Sequence, residues 1–169
     1  HHLYCFSARN GRQMWAFETP SYVRSSPTAS SERVYFGASD GCIYAIDVQT
    51  GRQRWRFTSN RTVLSSPLLY QGVIYAGSMD WSLYAIDAEA GWSLWSYRAQ
   101  GWVVSSPAIS EKHGLVFVGS ADGHVYALER ETGHKAWSYE TGGAVTSSPA
   151  VSDDAVYIGS TDGHVYSLD

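Results

Sequence analysis

The sequence predicts an all-β protein built from four-stranded antiparallel blades, a β-propeller or part of one. Three observations predict it. The triplet Ser-Ser-Pro recurs at Ser25-Ser26-Pro27, Ser65-Ser66-Pro67, Ser105-Ser106-Pro107 and Ser147-Ser148-Pro149, with spacings of 40, 40 and 42 residues. A tryptophan (Trp15, Trp55, Trp95, Trp137), a tyrosine (Tyr4, Tyr44, Tyr84, Tyr126, Tyr166) and a Gly-x-x-Asp element (Gly37–Asp40, Gly77–Asp80, Gly119–Asp122, Gly159–Asp162) keep the same clock. The composition agrees: aromatics are 14%, with 7 Trp and 12 Tyr, and 16 Gly stand against 5 Pro. Aromatic and β-branched enrichment punctuated by glycine is the mark of many short strands. A period near 40 residues is the mark of repeated blades.

Each unit reads as four strands in order. After Ser-Ser-Pro comes a short strand A, as at Ala108-Ile109. Strand B is an apolar run such as Val34-Tyr35-Phe36-Gly37, closed by an Asp-Gly turn at Asp40-Gly41, Asp122-Gly123 and Asp162-Gly163. Asp-Gly is a strong hairpin signal because glycine accepts a positive φ. Strand C follows at Ile43-Tyr44-Ala45-Ile46, then a turn at Gly11, Gly51 or Gly133, then strand D at Arg54-Trp55-Arg56-Phe57. No stretch carries the longer 3.6-residue period a helix needs. In strand D the tryptophan and a second aromatic sit two apart (Trp15/Phe17, Trp55/Phe57, Trp95/Tyr97, Trp137/Tyr139) and so share one face. Each blade should therefore aim an aromatic pair at its neighbour, which places stability between blades rather than within them.

The spacing within each copy carries a resemblance. Ala45-x-Asp47-x-x-Thr50-Gly51-x-x-x-Trp55 resembles the repeat of the pyrroloquinoline-quinone-type (PQQ-like) propellers, with its tryptophan-docking motif. The copy ending at Trp137 has Glu129 for Asp, the copy ending at Trp95 has Ala90 for Thr, and the first copy has Ser7 and Asn10. WD40 repeats are disfavoured, because the clock tryptophans are followed by Ala16, Arg56, Ser96 and Ser138, never Asp. The resemblance implies a fold and a mode of blade packing. It implies no reaction: the family includes quinone-dependent dehydrogenases, BamB-type assembly lipoproteins and kinase sensor domains.

The whole of residues 1–169 reads as one repeat domain, with blade units near 1–24, 25–64, 65–104, 105–146 and 147–169. The phase runs C–D, three full blades, then A–B–C, one strand more than four blades need. The expectation is a partial propeller: either a piece of a larger ring, or an arc whose open ends pair with a second copy into an eight-blade ring.

Composition also excludes functions. A net charge of −4 and only two lysines, Lys112 and Lys135, leave no footprint for nucleic acid or an anionic membrane. The alternating Arg52, Arg54 and Arg56 read as an isolated solvated strand. No apolar run approaches the ~20 residues of a membrane span, and the opening residues read as neither signal nor transit peptide. A mature soluble piece is expected; only the family resemblance favours an extracytoplasmic place for it. Quinone dehydrogenases of this family need calcium-binding acid and amide side chains and often a vicinal disulfide. Here Cys5 and Cys42 are 37 residues apart, and Asn10 and Asn60 are the only asparagines. Asp40, Asp80, Asp122 and Asp162 recur at one hairpin and read as turn caps. His2, His124 and His164 share one slot in separate blades and should not converge on a metal. No catalytic residue, cofactor or metal site is assigned, and the quinone-dehydrogenase fragment is kept as the alternative.

The informative residues break the repeat. Trp81, Trp92 and Trp102 are off the clock. Trp81 replaces the glycine of the B–C turn, and Trp102 aligns with Tyr22, Thr62 and Ala144 in the D–A connection. Strand direction alternates, so B–C and D–A loops leave on the same side. Trp81, Trp102 and Tyr22 are the candidate binding face, for a protein or surface ligand; Trp92 belongs to the opposite side. The functional expectation is a non-catalytic interaction or ligand-sensing scaffold.

Overall fold

The computed structural model describes all of residues 1–169. It contains seventeen strands and no helix. β1 (His2–Phe6) and β2 (Gln13–Glu18) form a two-stranded sheet. Three four-stranded sheets follow: β3 (Thr28–Ala29), β4 (Arg33–Gly37), β5 (Cys42–Asp47) and β6 (Gln53–Thr58); β7 (Leu68–Tyr70), β8 (Val73–Gly77), β9 (Ser82–Asp87) and β10 (Ser93–Arg98); β11 (Ala108–Ser110), β12 (Leu115–Gly119), β13 (His124–Glu129) and β14 (Lys135–Glu140). A three-stranded sheet, β15 (Ala150–Val151), β16 (Val156–Gly159) and β17 (Val165–Leu168), ends the chain. Every ladder joins sequence neighbours and is antiparallel, the up-and-down meander of a propeller blade. The chain is thus a partial propeller.

The core lies between sheets. Tyr35, Ile43 and Ala45 of one blade pack with Ile74, Ala76 and Ile86 of the next, and Tyr75, Leu83 and Ala85 pack with Val116, Val118, Tyr126 and Leu128 of the one after. Alternate residues of β5, β9 and β13 face opposite neighbours, so these central strands are buried on both sides. Strand D is outermost and alternates exposed with half-buried positions. Trp55 and Phe57 are therefore half-buried rather than enclosed.

The Ser-Ser-Pro triplet has two jobs. In three copies the first serine meets the glycine that ends strand B: Ser25 Oγ donates to the Gly37 carbonyl and accepts its N–H, at 3.0 and 2.7 Å, Ser147 does the same with Gly159, and Ser105 Oγ accepts the Gly119 N–H at 3.1 Å; Ser65 Oγ is buried without a partner. The second serine ties blade to blade: Ser66, Ser106 and Ser148 Oγ accept the N–H groups of Ser26, Ser66 and Ser106, at 2.9 to 3.0 Å. The clock glycine at the end of strand B is a close approach. A Cβ on Gly77 would lie 2.4 Å from the Val103 carbonyl oxygen.

Candidate functional site

The four hairpin aspartates do more than cap turns. Each accepts the N–H two residues on: Cys42, Ser82, His124 and His164, at 2.9 to 3.0 Å. Each also accepts the hydroxyl of the clock tyrosine four residues on: Tyr44, Tyr84, Tyr126 and Tyr166, at 2.6 to 2.9 Å. Three of them reach across to the preceding blade's D–A connection, where Asn60, Gln100 and Gly142 donate to Asp80, Asp122 and Asp162. The aligned position before Asp40 is Pro20, which has no N–H to give. The cross-blade bonds make Asp80, Asp122 and Asp162 blade clamps, while Asp40 ties only its own hairpin. Burial and the Asp hydrogen bond push the Tyr84 hydroxyl up to about 12 and hold Tyr44 and Tyr126 well above the ordinary phenol value. At Asp122 burial pulls upward, but the Gln100 N–H, the Tyr126 hydroxyl and the His124 N–H outweigh it and lower the carboxyl. His124 and His164 each face the aspartate two residues before them. Cys42 is buried; Cys5 is only half-buried, because its blade is open.

The clock tryptophans dock on the next blade. Trp15, Trp55 and Trp95 donate Nε1–H to the carbonyls of Val48, Ala88 and Arg130, at 2.8 to 3.0 Å. Each ring is roofed by a glycine of the same turn: Gly51, Gly91 and Gly133 lie so close that an added Cβ would meet ring carbons at 2.5 to 2.8 Å. Trp137 has neither bond nor roof.

The B–C turns and D–A connections share one side of the arc. Backbone bonds lace them together: Ser39 N–H to Tyr22, Met79 N–H to Thr62 and Ala121 N–H to Trp102 carbonyls. On this side Trp81 is 41% exposed, Trp102 46% and Tyr22 56%. Trp81 holds φ at +78°, beside +84° and +89° for the glycines at the same turn of other blades. A left-handed conformation costs an L-residue about 1–2 kcal/mol. Trp81 and Tyr22 each have their own support rather than one another's. The Arg98 guanidinium lies 5.2 Å over the Trp81 ring, and Tyr22 is flanked by Arg24 and by His1. Trp102 has no aromatic or cationic partner and stands free. On the same side an open groove of about 330 Å³ is lined by Ser39, Asp40, Asn60, Arg61, Thr62 and Met79. Sequence reasoning missed Arg98, Arg61 and Met79. The same signal could have found them: their aligned residues are Glu18, Thr58 and Glu140; Ser21, Gly101 and Gly143; Ser39, Ala121 and Thr161. Trp92 follows the C–D turn and is 65% exposed.

Comparison with known proteins adds the family. The model of the outer membrane protein assembly factor BamB family matches residues 1–77 and 61–169, which together span the chain. Among solved structures, BamB from Moraxella catarrhalis superposes with a TM-score of 0.83 at 20% identity, over 94% of this chain and 53% of that one. The computationally designed Ika8 protein gives 0.84 at 22%, over 95% and 50%. Quinohemoprotein alcohol dehydrogenase from Comamonas testosteroni gives 0.73 at 20%, over 83% and 29%. This chain spans about half the length of the first two. No curated protein sequence matches it. The continuous family match and the repeat geometry agree, and the chain belongs to the BamB-like family of PQQ-type repeat β-propellers.

Proposed function

We propose that the chain is a non-catalytic interaction module that binds a protein or surface ligand through the face centred on Trp81, Trp102 and Tyr22. One observation carries this reading. Trp81 occupies a left-handed turn position that other blades give to glycine, and it is half exposed there. A bulky residue kept in a strained, solvent-facing position points to use rather than packing. Loop aromatics on a rigid scaffold are the common anchors of protein interfaces. The BamB-type family match supports a protein partner and an extracytoplasmic setting. Sensing a ligand on behalf of an attached signalling domain is a variant of the same reading. Pairing of the open ends with a second copy is part of it.

The test compares the Trp81→Ala, Trp102→Ala double variant with Trp92→Ala, which alters the opposite side. Partner retention from an envelope extract of the source organism should fall at least about tenfold for the first and stay unchanged for the second. Equal retention by both would remove the face from consideration. The alternative, a piece of a quinone-dependent dehydrogenase, is favoured by the likeness to the alcohol dehydrogenase. An absorbance scan after adding the quinone with calcium tests it: a shifted quinone spectrum supports the enzyme reading, and an unchanged one removes it.

A further inference from the structure

An open cavity of about 620 Å³ lies between the second and third blades, on the side opposite Trp81. Ser30, Glu32, Gln71, Asp87, Ala88 and Glu89 stand on its wall, together with Arg33. Two departures from the repeat open it. At the next joint the Arg130 guanidinium lies 5.0 Å over the Tyr70 ring. The residues aligned with that pair are Ala88 and Ser30, so neither that ring nor that guanidinium fills this joint. The second departure is at the C–D turn. In the preceding blade Asp47 Oδ1 caps this turn by accepting the Gln49 and Thr50 N–H groups, and Oδ2 accepts Arg54 Nε–H and Nη2–H at 3.2 and 2.6 Å. Asp87 keeps the cap: its Oδ1 accepts the Glu89 and Ala90 N–H groups at 2.9 and 2.6 Å. The residue aligned with Arg54 is Leu94, and Asp87 Oδ2 has no donor from the protein.

The charge left on the wall is negative. Glu32, Asp87 and Glu89 face a single arginine, and that arginine is committed. Arg33 pairs with Glu89 and donates Nη1–H to the Ala88 and Glu89 carbonyls, at 3.0 and 3.2 Å. It holds the wall in place and leaves the Glu32 and Asp87 carboxylates unpaired.

From this cavity and its filled counterparts we propose that the joint binds a guanidinium group, with Asp87 Oδ2 accepting the two N–H groups that Asp47 takes from Arg54. The neighbouring repeats show the fit. Each fills the matching space with an arginine of the chain itself, Arg54 on Asp47 and Arg130 on Tyr70. The planar fork of a guanidinium suits a carboxylate in a way that an ammonium does not. Pockets of this size hold small ligands. Free arginine and the arginine side chain of a partner polypeptide share the required chemistry. The site is separate from the face proposed above and does not depend on it.

Backbone amide NMR shifts of the 169-residue chain test it, followed during titration up to about 20 mM with L-arginine, L-citrulline and a capped Gly-Arg-Gly peptide. Citrulline has nearly the shape of arginine and no charge. The expected result is saturable shifts at Gly72, Asp87 and Glu89 with a Kd of about 1 mM or below for a guanidinium ligand, and none with citrulline. Binding of free arginine alone assigns the site to a small molecule; binding of the peptide alone assigns it to a partner's side chain. Asp87→Asn keeps the Oδ1 acceptor of the turn and loses the charge, and should raise Kd at least about tenfold. Leu94→Arg gives Asp87 the guanidinium that Arg54 gives Asp47. Leu94 is 49% exposed, so this variant should keep its thermal midpoint while losing the ligand, and it serves if Asp87→Asn misfolds. No saturable shift with either guanidinium ligand overturns the site. Citrulline binding as tightly as arginine, or unchanged binding in Leu94→Arg, overturns it too.

Discussion

Gly91→Ala isolates what holds the blades together. The added Cβ would stand 2.6 Å from Cγ and Cδ2 of Trp55, and φ is +79°. The left-handed backbone costs alanine about 1–2 kcal/mol. Relieving the overlap costs a further ~1–3 kcal/mol, as overpacking does elsewhere. Moving the ring stretches its 3.0 Å bond to the Ala88 carbonyl, worth about 1 kcal/mol. The sum is about 4 kcal/mol. Gly72→Ala has the same strain at φ +78° and an open surrounding, so it should cost about 1 kcal/mol. Urea unfolding followed by tryptophan fluorescence measures both. With a slope of about 2 kcal/mol per molar, the Gly91→Ala midpoint should lie ~1.5 M below that of Gly72→Ala. Midpoints are the quantity to compare, because repeat arrays lose two-state cooperativity. Midpoints within about 0.25 M of each other would refute docking of Trp55 under Gly91 as a source of stability.

Three further outcomes are expected. Tyr44, Tyr84 and Tyr126 ionise at raised values in the fold, so their contribution is complete below pH ~10 and drains as pH rises through the folded value, about 12 for Tyr84; thermal midpoints should fall between pH 10 and 12, and less steeply in Tyr84→Phe. The lowered Asp122 carboxyl works in the other direction: its contribution is present above the ordinary carboxylate value and is lost as pH falls through its depressed one. Asp122→Asn should therefore flatten the acid limb of a midpoint-against-pH curve, and an unchanged limb would discount the clamp. Trp81→Gly should be more stable than Trp81→Ala by about 1–2 kcal/mol in urea melts, since only glycine accepts φ +78° freely; equal stability would mean that the turn relaxes.

Strand order and number were legible because blade strands are short, and each is bounded by a turn residue with a physical reason to be there. Gly91 and Gly133 carry positive φ, and Asp122 caps its own hairpin. The ties between blades were not legible. The Asp122 bond to Gln100 N–H and the Ser66 bond to Ser26 N–H join residues 22 and 40 apart through backbone donors, which leave no trace in side-chain identity. The outermost place of strand D was also invisible, since period-two alternation shows a buried face but not its depth. That is why Trp55 is half-buried where the pattern suggested more. Arg98 could have been read. It breaks the repeat as plainly as Trp81, but a charged residue on an outer strand draws no notice until it is seen lying over a ring.

The central claim is a division among the tryptophans: Trp15, Trp55 and Trp95 hold blades together, and Trp81 and Trp102 are proposed to face a partner. Thermal midpoints of Trp95→Ala and Trp102→Ala measure it most directly. Trp95 packs on Tyr75 and donates to the Arg130 carbonyl, and its loss should cost about 3 kcal/mol, a fall near 10 °C. Trp102, 46% exposed and without a ring partner, should cost no more than ~1 kcal/mol, a fall of about 4 °C or less. Falls of equal size would contradict the division and return Trp102 to the core.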